Sequence, residues 1–328
     1  MTYKKLGKFL ADHQSFIIIQ AENPDGDSLS SALALEDILT NEKKEVTLYS
    51  PVDIPKYLRY FKGWDRVTND FNYNTDAAII VDTASEILLS KVLIDPAAKD
   101  FLNKKPVLVI DHHHDVTNDL SFDHEPIIEK AVSTSEILYK AFSENNFDIS
   151  PDTAGNLLAG MFSDTLGLTT PNVTAATYQV ATDLIELGAN PSNIEEARRK
   201  LMKKSPEILS YKGRLIERVE YYLDGKLSLV HIPWEEIKQY SDQYNPGVLI
   251  LEEMRMVEGV EVAIAIKTYP DGKLTGKIRT NSPVANKVAG YFGGGGHEYA
   301  AGFRIYESYD EAIKEIMEAT SKALNETI

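Results

Sequence analysis

Apolar runs of four to six residues alternate with helical patterns through the first half of the chain. They predict strands over Phe16 to Ala21, Val46 to Tyr49, Ala77 to Asp82 and Val107 to Asp111, with a shorter one at Ile127 and Ile128. After the first strand, Leu33, Leu35, Ile38 and Leu39 fall at helical spacing within Ser30 to Thr40. Such alternation predicts an α/β fold, a mostly parallel sheet with helices on both faces. From Ser133 to about Arg218 the pattern is helical, with helix starts at Pro151 and at Asn190-Pro191-Ser192. The remainder reads as α+β. Strands are expected over Leu227 to Ile232, Val260 to Thr268 and Leu274 to Thr280, the last two joined by a turn at Tyr269-Pro270-Asp271-Gly272. A helix at about Val284 to Phe292, a strand near Ala301 to Ile305 and a helix from Tyr309 complete it. The expected organisation is a first domain over 1–186, a helical connector over 187–220 and a smaller α+β domain over 221–328. The 328 residues suit two domains.

Composition narrows the chemistry. There is no cysteine, which removes disulfides, thiolate metal sites and thiol nucleophiles together. A metal would have to use oxygen and imidazole ligands, which suits manganese or magnesium better than a thiolate-rich zinc site. A formal net charge of -16 argues against long duplex nucleic acid held on a broad basic face. A short nucleotide gripped by a few local Arg and Lys residues remains compatible. The run at Phe16 to Ile19 is too short for a signal segment or a membrane span, so the expected compartment is the cytoplasm and no membrane partner is expected.

Carboxylates and imidazoles gather at the predicted strand exits, where open α/β sheets bind ligands. Asp25 and Asp27 flank Gly26 after the first strand, Asp82 follows the third, and Asp111, His112, His113 and His114 close the fourth. Each has a plainer reading: an Asx turn for the Asp25–Asp27 pair, a helix N-cap for Asp82. Asp164, after an apolar helical stretch, either caps the next turn or closes a metal site from the helical layer. A carboxylate and three imidazoles after four apolar residues are harder to explain by packing alone. The second signal is Gly293, Gly294, Gly295 and Gly296, followed by His297. Glycines without Cβ expose consecutive backbone N–H groups, as a phosphate cradle requires. Arg279, at the end of a predicted strand, is a candidate anion ligand; a solvated surface arginine is the alternative.

Together these residues resemble the DHH family of phosphoesterases with its C-terminal DHH-associated domain. The motifs occur in family order over nearly the whole chain: N-P-D-G-D at 23–27, V-D-T-A-S at 81–85, D-H-H at 111–113, S-T-S-E at 133–136, S-D-T at 163–165 and G-G-G-G-H at 293–297. The resemblance implies two manganese ions. Asp25 and Asp82 would serve one; Asp27, Asp82, His112 and Asp164 the other, with Asp82 bridging. His113 would sit beside the reacting phosphate, with Asp111 as its catalytic companion. The glycine loop, His297 and Arg279 would bind substrate from the second domain, and hinging at the connector would close the cleft. One departure stands out. Ala21 occupies a position where the family places a metal-binding histidine, which predicts a weakened first site unless Gln20, Glu22 or His114 compensates. Ser30, where the family often has glycine, is a smaller departure.

The expected activity is a manganese-dependent phosphodiesterase or exonuclease that cuts very short oligoribonucleotides (nanoRNA) to mononucleotides and also dephosphorylates 3'-phosphoadenosine 5'-phosphate. A cyclic or linear dinucleotide phosphodiesterase acting in signalling is the alternative within the same chemistry. A catalytically weakened nucleotide-binding protein, motivated by Ala21, is the alternative from another class. An inorganic pyrophosphatase is disfavoured by the G-G-G-G-H loop, and a nicotinamide-dependent dehydrogenase by the acidic turn after the first strand. The expected partner is a short oligoribonucleotide or dinucleotide substrate; the resemblance leaves a homodimer open.

Overall fold

The computed structural model describes residues 3–113 and 118–326. The chain divides into two compact units, Met1–Lys203 and Lys204–Ile328. In the first, β1 (Ser15–Ile19), β2 (Glu45–Tyr49), β3 (Ala77–Val81), β4 (Val107–Asp111) and β5 (Glu125–Ile128) form one sheet in the order β2-β1-β3-β4-β5. All neighbours are parallel, and Ile19 pairs with Tyr49 on one side and Ile80 on the other. The strand order turns back on itself between β1 and β3. That is the switch point where a parallel sheet opens a crevice at its carboxyl edge.

Helices cover both faces: α1 (Lys4–Asp12), α2 (Gly26–Asn41), α3 (Ser90–Leu93), α4 (Pro96–Lys104), α5 (Thr134–Asn145), α6 (Pro151–Asp164), α7 (Ala175–Glu186) and α8 (Pro191–Leu201). Because strand side chains alternate, Phe16, Ile18 and Ile79 enter one core with Leu33, Leu138 and Leu157 of α2, α5 and α6. Ile17, Ile19 and Ile80 enter the other with Phe101 and Leu102 of α4. Each fully buried isoleucine contributes roughly 1.5–3 kcal/mol, which explains why apolar runs without polar alternation fold as central strands.

The second unit holds α9 (Pro206–Glu217), β6 (Glu220–Tyr222), β7 (Leu227–Ile232), α10 (Trp234–Tyr240), α11 (Pro246–Arg255), β8 (Val262–Thr268), β9 (Leu274–Thr280), α12 (Ala285–Tyr291), β10 (Gly295–His297), β11 (Ala300–Ile305) and α13 (Tyr309–Asn325). Its sheet runs β10-β11-β9-β8-β7-β6. β7 and β8 are parallel and the other neighbours antiparallel. The turn at Tyr269 to Gly272 does join β8 to β9, closed by a Tyr269 N–H donating to the Lys273 carbonyl at 2.9 Å. The division between the units falls inside the stretch 187–220. α8 packs on α6 of the first unit, and α9 on α11 of the second. Among the described residues, no helix is long and apolar enough to cross a membrane.

Candidate metal centre

The first turn of α2 carries two of the acidic residues. Asp25 is its N-cap: Oδ1 accepts from the Asp27 and Ser28 amides at 3.0 Å each, while the Ser28 hydroxyl accepts from the Asp25 amide at 2.9 Å. The local Asx turn is therefore real. It also turns Asp27 inward. At Gly26, α2 meets α6 so closely that a Cβ would lie 2.3 Å from the Ser163 Oγ. Any side chain there would push α2 off the helix that ends in Asp164.

Asp27 is fully buried against the N-terminus of α5. Its carboxylate accepts from the Ser135 amide at 2.9 Å, from the Thr134 amide and from the Ser135 hydroxyl. Free amides and the positive end of the helix dipole favour a carboxylate at that spot. Thr134 also donates its hydroxyl to Asp82 Oδ1 at 2.9 Å. Asp82 leaves β3 with φ +62, a left-handed conformation that costs a non-glycine residue energy and recurs at functional sites. An N-cap needs extended backbone, so the capping reading of Asp82 is discarded.

β4 delivers the histidines. His112 Nδ1 lies 3.4 Å from the Ala131 carbonyl, which can only accept, so that nitrogen is the donor. Nε2 then faces Asp164 Oδ2 at 3.2 Å and Asp82 Oδ1 at 3.5 Å. His113 is oriented by Asp111, whose Oδ1 accepts from its amide at 3.1 Å and from Nδ1 at 2.7 Å. A carboxylate behind an imidazole in this way fixes tautomer and ring direction. His114 lies outside the described residues. Two overlapping ligand groupings result, Asp82–His112–His113 and Asp27–His112–Asp164, with all ligand atoms of each within 4.8 Å of one another. The residue they share is His112.

Burial and crowding dominate the electrostatics. Burial first, then the charges of Asp27, Asp25 and Asp164, push the Asp82 carboxyl well above its usual range. Burial and Asp27 lift Asp164 to about 7. Asp27 is raised by burial too, against the opposing pull of His112 and Ser135. Burial alone would lower His112, yet the Asp164 hydrogen bond and the charge of Asp27 raise it to about 9. Asp111 ends below its usual range, because the His113 hydrogen bond and charge outweigh burial. These are carboxylates converging on a space that asks for positive charge. The donors are all oxygen and imidazole nitrogen, and His112 Nε2 faces two carboxylates. The set fits a hard divalent cation. Asp25 stands at its edge: its charge reaches Asp27, Asp82 and Asp164, although it belongs to neither grouping.

Ala21 is buried. Of the residues that could replace a ligand there, Glu22 is engaged elsewhere, accepting from the Ser90 hydroxyl at 2.6 Å and the Lys91 amide at 3.3 Å. Gln20 is fully buried, and neither polar atom of its amide has a hydrogen-bond partner among the described residues.

In the second unit, the glycine run requires a correction. Gly293 and Gly294 do not present free amides. They end α12 in a Schellman motif: Gly293, at φ +69, donates to the Gly290 carbonyl at 3.0 Å and Gly294 to that of Ala289 at 2.9 Å. Orphan carbonyls at a helix end claim nearby amides first. Gly295, Gly296 and His297 form β10, where a loop was expected. Register sets His297 and Arg279 level on either side of Ala300, and Gly295 and Lys277 level across Gly302. Lys277 reaches solvent, yet the surrounding protein and the charge of Arg279 hold its pKa down. Burial and Lys277 lower Lys267 to about 8. Burial also lowers Arg279, which donates to the Ile278 carbonyl at 3.0 Å.

Sequence reasoning singled out neither Lys267 nor Lys277; their alternation with Arg279 along β8 and β9 was the available signal. It also missed the supports of Asp27. The Ser30 hydroxyl donates to the Asn156 carbonyl at 2.7 Å and lies 2.9 Å from the Ser135 Oγ, which holds Asp27. Ser30 is thus tied to the acidic cluster. The Ser133–Glu136 pattern, in which the Ser133 hydroxyl accepts from the Glu136 amide at 3.1 Å, marked a helix start and was the cue for Thr134 and Ser135.

The model of the DHH family N-terminal domain matches residues 15–161, and that of the DHHA1 domain matches residues 238–326. The bifunctional oligoribonuclease and PAP phosphatase NrnA of Bacillus subtilis is 24% identical over 305 residues, covering 92% of each chain. A probable manganese-dependent inorganic pyrophosphatase of Streptococcus thermophilus is 29% identical over 203 residues, 58% of this chain and 60% of that one. The crystal structure of an exopolyphosphatase-related protein from Bacteroides fragilis superimposes with a TM-score of 0.85 at 21% identity, covering 98% of this chain and 96% of that one. With both domain models matched in order, the chain belongs to the DHH family and carries a DHHA1 domain in its second half.

Proposed function

We propose that the protein is a divalent-metal-dependent phosphodiesterase that releases mononucleotides from very short oligoribonucleotides, with 3'-phosphoadenosine 5'-phosphate as a further substrate and manganese as the metal. The observation that carries this reading is the convergence of Asp27, Asp82, Asp164 and His112 at the switch point of the parallel sheet. The full-length likeness to the Bacillus subtilis enzyme supports the choice of substrate.

Asp27, Asp82, Asp164 and His112 would hold the metal, with Asp25 at the margin. Divalent cations supply Lewis acidity to a phosphodiester and lower the pKa of an attacking water. The α5 N-terminus favours the ionised form of Asp27 against the pull of burial and holds the side chain in place. Asp111 orients His113 through Nδ1, and the imidazole would sit beside the reacting phosphate. Arg279, Lys277 and Lys267 would bind the substrate's remaining negative charge, with Gly295 letting backbone approach closely. The test is mononucleotide release from a 5'-phosphorylated diribonucleotide, with and without added manganese after chelation. Release that depends on manganese is expected. A folded protein that releases nothing in either condition would overturn the reading.

A further inference from the structure

Beside the acidic cluster, wholly within the first unit, lies a cleft of about 490 Å³. It exists because α8 rests against α6 without a single fully buried side chain. Its size falls within the range of small-molecule sites. Asp25 and Gly26 form one wall, so the cleft and the cluster share the first turn of α2. Ser163, the residue before Asp164, lines it as well.

The remaining lining is aromatic and nearly neutral. Tyr57, Tyr60 and Phe162 contribute rings, and Tyr57 keeps 53% of its surface exposed. Among the described residues, Arg198 is the one basic member of the lining, and Glu195 holds its guanidinium at 2.7 and 3.0 Å. With Asp25 and Glu195 against one arginine, the cleft offers no excess positive charge to a phosphate. It offers flat apolar faces and a guanidinium plane, which suit an uncharged aromatic ring system. The outer wall is made by Leu166 and Gly167. With Leu168, they form three successive left-handed residues directly after α6, at φ +51, +78 and +66. That conformation keeps Leu166 turned to solvent, 69% exposed.

We propose that this cleft is a nucleobase subsite, taking the base of one nucleoside of the substrate beside the phosphate-cleaving cluster. The proposal rests on the function proposed above, and it makes the first unit a reader of substrate as well as a holder of metal. Stacking on an exposed tyrosine is tolerant of base identity, so the subsite favours substrates that carry a base next to the scissile phosphate without selecting its sequence.

The test is equilibrium binding of adenosine to the full chain, which needs no turnover, with ribose 5-phosphate as the base-free probe. Adenosine is expected to bind measurably, Tyr57→Ala to weaken it about tenfold, and Tyr57→Phe to retain it. Ribose 5-phosphate binding is expected to be indifferent to Tyr57→Ala. Tyr57 is exposed, so its replacement spares the core. No adenosine binding by the parent protein, or binding unchanged in Tyr57→Ala, would overturn the subsite. Tyr57-dependent adenosine binding by a protein that hydrolyses no oligoribonucleotide would keep the subsite and overturn the proposed activity instead.

Discussion

The acidic cluster of the first unit and the basic sheet face of the second are opposite answers to one electrostatic problem. In the first, buried carboxylates repel one another until Asp82 and Asp164 resist ionisation. In the second, burial leads and neighbouring cations add to it, Lys277 beside Lys267, Arg279 beside Lys277 and Arg255 beside Arg279, so that all three hold their protons less tightly than usual. Neither region neutralises itself. Lys267 donates to the neutral Asn245 Oδ1 at 3.0 Å, and Arg279 to a backbone carbonyl. Under the proposed function, ligands supply the counter-charges, a cation for one and an anion for the other. The two also differ in how they are held. The acidic side chains are fixed by the amides of α5, the hydroxyls of Thr134 and Ser135 and the strained turn at Asp82. The basic ones project from regular strands, positioned by register and one hydrogen bond each at Lys267 and Arg279.

The hardest blow to this comparison would come from Asp82→Asn. It keeps the shape and removes the charge, and mononucleotide release is expected to fall on the order of a thousandfold, with loss of bound metal measured on the purified protein. Activity near that of the parent would show that the cluster is structural.

Next in size is pH. In chelator, the two units are expected to respond with opposite signs. Asp164 binds its proton more tightly folded, about 7, than at its ordinary 3.8. The folded state therefore holds more protons between those values, and first-unit stability falls as pH rises through that window, by up to a few kcal/mol. Lys267 does the reverse. Its pKa drops from 10.5 to about 8, so the unfolded state holds more protons between those values and second-unit stability rises with pH there. Calorimetric melts across pH should separate the two trends, and added manganese should abolish only the first. Parallel trends in both units would contradict the account.

Ser135→Ala sharpens the contrast in how the charges are held. Removing one hydroxyl behind Asp27 should weaken manganese affinity about tenfold, read by metal titration, while substrate affinity at saturating metal changes little. The smallest effect is expected from Lys277→Met. It should raise KM for a diribonucleotide several-fold and flatten its salt dependence, leaving metal content unchanged. A loss of metal in that variant would show that the regions are not separable.

Much of this was legible in the chain. Apolar runs such as Ile79-Ile80-Val81 bury on both faces only in a covered parallel sheet, so the residue pattern alone places the strand exits, and with them Asp25, Asp27, Asp82 and His112. Their chemistry was legible for the same reason: a charge at the end of a buried strand needs a partner. The Schellman end of α12 was less visible, because four glycines in a row look the same whether their amides face a ligand or a helix. The seat of Asp27 was not visible at all. Thr134 lies 107 residues from Asp27 and Ser30 lies 105 from Ser135.

Local spacing of side chains along the backbone thus determined the sheet, its covering helices and the acidic exits, since period and burial are written residue by residue. Tertiary structure decided the rest: which amides meet Asp27, which glycine N–H groups the end of α12 claims, and that α8 leaves an aromatic cleft beside Asp25. Those outcomes depend on how closely whole helices approach, as at Gly26 against Ser163, and packing distances between elements far apart in the chain are not encoded in any local pattern.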